Sequence, residues 1–264
     1  MYPIKYHRAT SMSDAVAVLS NEEDAVILAG GQTLLATMKQ HLAAPGCLVD
    51  IRGIEGMSEI SADGNLLTVG AAATHAEVAD NAEVKRLCPA LAELADGIGD
   101  PAVRNMGTIG GSVANNDPAA DYPAALLALA ATIVTNVREI PSDDFFTGLF
   151  ATALDETEIV TAVRIAAPTK SAYAKFAQPA SLFALVGAFV ADGAGGVRAA
   201  ITGSGEDGVF RHGGMEAALE SDWSVESVDR VDVSADGLMS DIHGDAAYRA
   251  NLVKVMTGRA VAAA

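Results

Sequence analysis

The sequence predicts an α+β fold in two parts, and three observations carry that prediction. Short apolar strands alternate with helix-forming stretches through roughly the first two thirds, whereas the remainder holds a hairpin followed by helices. Pro168 stands where the two patterns meet, placing a first domain at residues 1–167 and a smaller α/β domain at 168–264. Half of the 264 residues are hydrophobic, mostly Ala, Val, Leu and Ile with aromatics at only 5%, so each part can bury a core.

The elements follow in order. Residues 1–55 read as a first subdomain of α/β type. Ser13 and Asp14 can start a helix through Leu19, with Ala15, Val16, Val18 and Leu19 as its buried stripe. Val26-Ile27-Leu28 is a strand running into a glycine turn, Thr33 to His41 is helical by composition, and Cys47 to Ile51 is a second strand. A second subdomain, 56–167, opens with a strand at Leu66 to Gly70 and a helix near Thr74, then a helix across Ala90 to Ala95. After a second glycine turn come a helix from Tyr122 to Leu129, a strand at Ala131 to Thr135, a short helix from Asp143 to Phe150 and a strand at Ile159 to Ile165. In the last part, Leu182 to Ala191 and Val197 to Thr202 flank the hairpin-type loop Asp192-Gly193-Ala194-Gly195-Gly196. Met215 to Leu219 is helical, and Asp245 onward forms a terminal helix with Tyr248, Leu252, Val255, Met256 and Arg259 on one face.

The chemistry is concentrated in the two glycine turns, Ala29-Gly30-Gly31-Gln32-Thr33-Leu34-Leu35 and Thr108-Ile109-Gly110-Gly111-Ser112. A strand, a tight turn and a helix in that order offer backbone N–H groups to a phosphate. Two such turns facing each other can hold a pyrophosphate without any Lys or Arg. Taken singly, each turn is equally explained as a strand-to-helix connection that needs glycine for its geometry. The second is followed by Asn115-Asn116-Asp117-Pro118-Ala119-Ala120-Asp121. Asp121, at a helix start, either caps that helix or accepts hydrogen bonds from a ligand.

Several function classes are excluded or disfavoured. Lys plus Arg number 17 against 34 Asp plus Glu, a net charge of −17 that argues against nucleic acid or anionic membrane as partner. No Gly-Lys dipeptide occurs, so a triphosphate-binding loop is absent, and neither turn fits the G-x-G-x-x-G dinucleotide fingerprint. Cys47 and Cys88 are the only cysteines, which leaves no iron–sulfur or structural zinc pattern and suggests a reducing compartment. His7, His41, His75, His212 and His243 show no metal-ligand spacing, and His75 reads as a capping or hydrogen-bonding residue beside a helix start. The start of the chain lacks a secretory apolar run, and the longest apolar run, Ala124 to Ala131, falls short of the roughly 20 residues that span a bilayer. A cytoplasmic location and no integral membrane segment are expected.

The two glycine turns and Asp117-Pro118-Ala119-Ala120-Asp121, taken with Gly70-Ala71-Ala72-Ala73-Thr74-His75-Ala76-Glu77, Asp144-Phe145-Phe146-Thr147-Gly148 and Ser240 to Arg249, resemble one family throughout. It is the FAD-binding medium subunit of the molybdenum hydroxylases, among them xanthine dehydrogenase, N-heterocycle dehydrogenases and aerobic carbon monoxide dehydrogenase. The motifs are ordered, collinear and spread over nearly the whole chain. Within the family the chain looks most like the carbon monoxide dehydrogenase medium subunits, particularly those called form II.

The resemblance implies an FAD-binding domain of the vanillyl-alcohol-oxidase-like, PCMH type, then a C-terminal domain with a three-stranded antiparallel sheet and helices. It implies an oxidoreductase subunit with no catalytic or metal-binding residues of its own, passing electrons through FAD to an external acceptor. It also implies two partners, a small subunit with [2Fe-2S] clusters and a large one with the molybdenum–pterin cofactor, in a heterohexamer of two heterotrimers. By the same resemblance Ala29, Gly30, Gly31, Gln32, Thr33 and Leu34, with Thr108, Ile109, Gly110, Gly111 and Ser112, cradle the FAD pyrophosphate. Ala114 and Asn115 lie along the cofactor, Asp121 bonds its polar groups and Val160 packs near the adenine. Tyr173 and Lys175 match the segment bordering the flavin ring, where Lys175 either favours reduced flavin or is a solvated surface residue. The chain departs from the family at Gln178-Pro179, where arginines are usual, has a shorter stretch from Ile133 to Ser142 than many relatives, and lacks a cysteine-bearing insertion.

Overall fold

The structure is a computed structural model and describes residues 2–264. The first fifty residues build strand β1 (Lys5–Arg8), helix α1 (Met12–Asn21), β2 (Ala25–Leu28), α2 (Leu34–Lys39) and β3 (Cys47–Asp50). The three strands are parallel in the order β1-β3-β2, with central β3 buried along its whole length. Helix α1 starts earlier than the sequence suggests. Ser11 is its cap, accepting from the Asp14 amide, while Asp14 turns its carboxylate to His7 and Thr10. Ala15 is fully buried, and Val16, Val18 and Leu19 pack against the core only in part.

The second region carries β4 (Ile60–Asp63), β5 (Leu66–Gly70), α3 (His75–Asp80), α4 (Ala82–Leu87), α5 (Pro89–Asp96), α6 (Pro101–Arg104), α7 (Ile109–Asn115) and α8 (Tyr122–Ala128). It continues through β6 (Thr132–Thr135), β7 (Glu139–Pro141), α9 (Ser142–Phe145), β8 (Phe146–Gly148), β9 (Ala151–Thr152) and β10 (Val160–Ala166). Its main sheet has five strands, all antiparallel, in the order β4-β5-β10-β6-β7. Thr74 and Glu77 form a reciprocal capping box at α3, and every side chain of α8 is buried. The helix expected over Asp143 to Phe150 stops at Phe145, and residues 146–152 form a small hairpin instead. The reason is tertiary: Asn116 Nδ2 donates to the carbonyls of Gly148 and Ala151, opening the chain at positions a helix would close.

The last region contains β11 (Lys170–Ala177), β12 (Ala184–Gly193), β13 (Gly196–Thr202), β14 (Phe210–Arg211), α10 (Gly213–Ser221), α11 (Val225–Asp229) and α12 (Ala246–Ala263). Its antiparallel sheet runs β11-β12-β13-β14, so a fourth strand of two residues extends the three long ones. Strand β12 alternates as a pleat requires. Phe189 and Ala191 join the core of the first two regions, whereas Val186 and Ala188 pack with Leu252, Val253 and Met256 of α12. The face assigned to α12 is therefore corrected: Tyr248, Val255 and Arg259 are exposed, and Arg249 is buried with Leu252, Val253 and Met256. Its guanidinium donates to the carbonyls of Leu185 and Gly203 and pairs with Asp241, which makes burial of the charge tolerable. Among the described residues, no helix is long and apolar enough to cross a membrane.

Candidate functional site

A cleft of about 670 Å³ opens where the three regions meet. Its first lip is the turn after β2. Gly31 has φ +69°, a conformation that strains any residue with a Cβ. Leu35 donates its amide to Gly31, but among the described residues the amides of Gly30, Gly31, Gln32, Thr33 and Leu34 have no acceptor in the chain. Gln32 Nε2 donates to the Gly30 carbonyl at 3.3 Å, closing the turn on itself.

The second lip is the start of α7, and it is built differently. Thr108 caps the helix, its hydroxyl accepting from the Gly111 amide at 3.1 Å. Ile109 donates to Ala73 O, Gly110 to Ala71 O and Ser112 to Thr108 O, so the amides of this turn are occupied within the protein. Gly110 is required for contact: a Cβ there would lie 2.6 Å from the Ala71 carbonyl oxygen. The lips touch directly, since a Cβ on Gly30 would collide with the Met106 carbonyl oxygen and come within 2.6 Å of Gly107 Cα.

The loop between α7 and α8 closes one wall. Thr202 at the end of β13 donates its hydroxyl to the carbonyls of Pro118 and Ala120, and the Gly203 amide donates to Pro118. Asp121 does not cap α8, where no side-chain cap bond is made. Its buried carboxylate instead accepts from the Tyr173 hydroxyl and from Lys175 Nζ at 3.0 Å, and Lys175 also donates to the Gly97 carbonyl at 2.9 Å. Lys175 is thus neither a solvated surface residue nor an unpaired charge beside the cleft. Burial raises the Asp121 carboxyl above its usual range, with the Lys175 charge and the Tyr173 hydroxyl opposing, and pushes the Tyr173 phenol up as well. Removing either charge of such a pair leaves the other buried alone, which costs about 3–5 kcal/mol.

Most of the residues expected from sequence line this one cleft: Ala29 to Leu34, Thr108, Gly110, Gly111, Ser112, Ala114, Asn115, Asp121 and Val160. Ile109 does not, because its side chain is fully buried in the core. Tyr173 and Lys175 stand behind Asp121 rather than on the wall. The cleft also draws on Ile98, Val103, His75, Glu156, Leu182 and Phe183, most of which no turn motif signals. Among the described residues no Lys or Arg lines it, while Asp117, Asp121 and Glu156 do. His75 adds no charge, since burial, helped by the positive charge of Arg104, lowers its pKa to about 4. The free amides of the first lip offer donors to a negative group without a cation, and the rest of the lining is mostly apolar.

The model of the FAD binding domain in molybdopterin dehydrogenase matches residues 2–168. The chain belongs to the molybdenum hydroxylase flavoproteins. In this family it is similar to the carbon monoxide dehydrogenase medium chain of Hydrogenophaga pseudoflava, 33% identical over 98% of this chain and 96% of that one. The nicotine 6-hydroxylase medium subunit of Paenarthrobacter nicotinovorans is also 33% identical, again over 98% of this chain and 96% of its own. The solved carbon monoxide dehydrogenase of Hydrogenophaga pseudoflava lacking the Mo-pyranopterin moiety matches with a TM-score of 0.91 and 34% identity, covering 100% of this chain and 98% of that one. As a medium subunit of this family, the chain is part of an FAD-dependent oxidoreductase, and the unfilled amides of the first lip suit that cofactor's pyrophosphate.

Proposed function

We propose that this chain is the electron-transfer subunit of a molybdenum hydroxylase of the carbon monoxide dehydrogenase type. It receives electrons from [2Fe-2S] clusters on a small partner, and passes them to an external acceptor; a large partner with the molybdenum cofactor oxidises the substrate. The likeness to carbon monoxide dehydrogenase medium chains over nearly the whole length supports this reading, and the run of amides from Gly30 to Leu34 without an acceptor among the described residues supports its flavin site. When bound, FAD supplies the ability to accept and release electrons one or two at a time.

The chain's own part is to hold and orient. Gly30 to Leu34 donate to the pyrophosphate, while Thr108, Gly110, Gly111 and Ser112 form the opposite lip and set its distance. Ala114 and Asn115 run along the cofactor, Val160 packs at the adenine side and Asp121 meets its polar groups. Tyr173 and Lys175 act through Asp121, fixing the carboxylate that faces the cleft. Residues 1–167 form the FAD-binding domain and 168–264 a second domain that completes the wall with the segment from Ser181 to Phe183. Two heterotrimers assemble into a heterohexamer in the cytoplasm.

A second reading, a flavin subunit of an N-heterocycle dehydrogenase, is favoured by one observation: the nicotine 6-hydroxylase relative matches as well as the carbon monoxide dehydrogenase one. Purifying the complex through a tag on this chain tests both. Co-purifying iron–sulfur and molybdenum subunits, one FAD per chain and oxidation of carbon monoxide are expected. Oxidation of nicotine-like heterocycles instead selects the second reading, and an active flavoenzyme without partners overturns both.

A further inference from the structure

His75 is the one imidazole in the cleft wall, and its two nitrogens face different surroundings. The residue is 5% exposed, with Nδ1 sealed from solvent and without a partner among the described residues. Nε2 also makes no hydrogen bond among the described residues, but it is not sealed. The cap at this helix start is Thr74, so the capping role suggested by sequence belongs to the neighbouring residue.

The imidazole lies against the junction of the two lips. The His75 backbone amide donates to the Gly107 carbonyl at 2.9 Å, and a Cβ on Gly107 would sit 2.6 Å from Nε2. Gly107 in turn lies against Gly30, so imidazole, second lip and first lip are stacked in succession. A buried N–H without an acceptor is rarer and costlier than an unfilled lone pair, which assigns the proton to Nε2. Tyr122 packs beside the imidazole, ring centroids 5.4 Å apart, and its buried hydroxyl makes no hydrogen bond to Nδ1 among the described residues. The second lip has its own amides occupied, so a donor on that side must come from a side chain.

We infer that His75 is a neutral hydrogen-bond donor to the pyrophosphate of the bound dinucleotide, acting through Nε2–H where the two glycine turns meet. The inference rests on the placement of the pyrophosphate between those turns. It is tested by titrating FAD into the flavin-free full chain and following flavin fluorescence. His75→Leu should weaken binding about tenfold, the loss expected for one hydrogen bond to a charged group, and His75→Gln should stay within about threefold of wild type. ADP, followed by calorimetry, should weaken as FAD does, while riboflavin, which lacks the pyrophosphate, should bind both proteins alike. In the flavin-free protein at neutral pH, nitrogen NMR of His75 should show the Nε2–H tautomer, a readout independent of whether His75→Leu folds. An Nδ1–H tautomer, or wild-type FAD affinity in a folded His75→Leu variant, overturns the role of His75. Gly111→Leu separates the two failures: if that folded variant still binds FAD normally, the placement between the turns fails.

Discussion

In the turn after β2, the amides from Gly30 to Leu34 have no acceptor among the described residues; in the turn that opens α7, Ile109, Gly110, Gly111 and Ser112 donate to Ala73, Ala71 and Thr108. Both stretches carry a Gly-Gly pair beside a threonine, yet glycine does different work in each. Gly31 supplies a left-handed turn that exposes donors, whereas Gly110 removes a Cβ so that helix α7 can rest on Ala71. A glycine motif therefore marks either a donor loop or a tight backbone contact, and only the destination of its amides says which.

The contrast can be broken or sharpened experimentally, in decreasing order of effect. Gly30→Val strikes both turns, because its side chain would meet the backbone at Met106 and Gly107. FAD binding should be lost and stability should fall by about 3 kcal/mol on denaturant melts, the upper end for overpacking. Gly111→Leu should also abolish flavin retention, checked by absorbance after desalting. A Cβ there meets the Thr108 hydroxyl at 2.9 Å and touches the Ala29 side chain at 3.7 Å. Amide hydrogen exchange compares the lips in one measurement: amides of Gly30 to Leu34 should slow at least about tenfold when FAD is added, and those of Ile109 to Ser112 should be protected with or without it. Equal behaviour of both turns would remove the distinction. Thr108→Ala, the mildest change, should cost about 1 kcal/mol of stability through loss of the α7 cap.

Local pattern carried much of the fold and the centre of the site. Strand β5, helices α5 and α8 and the pair β12–β13 are legible because their apolar periodicity is self-contained. The polar strand β1 is not, since Lys5 to Arg8 become a strand only by pairing with β3. Arg249 shows the same limit on α12: the carbonyls that accept its guanidinium, Leu185 and Gly203, lie far away in sequence. At the site, the turns announce themselves, but the partners of Asp121 are set by a strand more than fifty residues later, so a helix-start aspartate reads locally as a cap. Leu182 and Phe183 carry no motif at all and reach the wall only through the β11–β12 connection.

The cleft wall begins at Leu19 and is completed at Phe183. Its geometry thus has a direction in time. A chain emerging from the ribosome offers Gly30 to Leu34 early, but it has no wall opposite them until α7 follows and no third side until the β11–β12 connection is made. Contacts of such long sequence separation close late in folding. Truncations short of residue 183 should therefore yield polypeptide that retains no flavin, checked by absorbance after desalting.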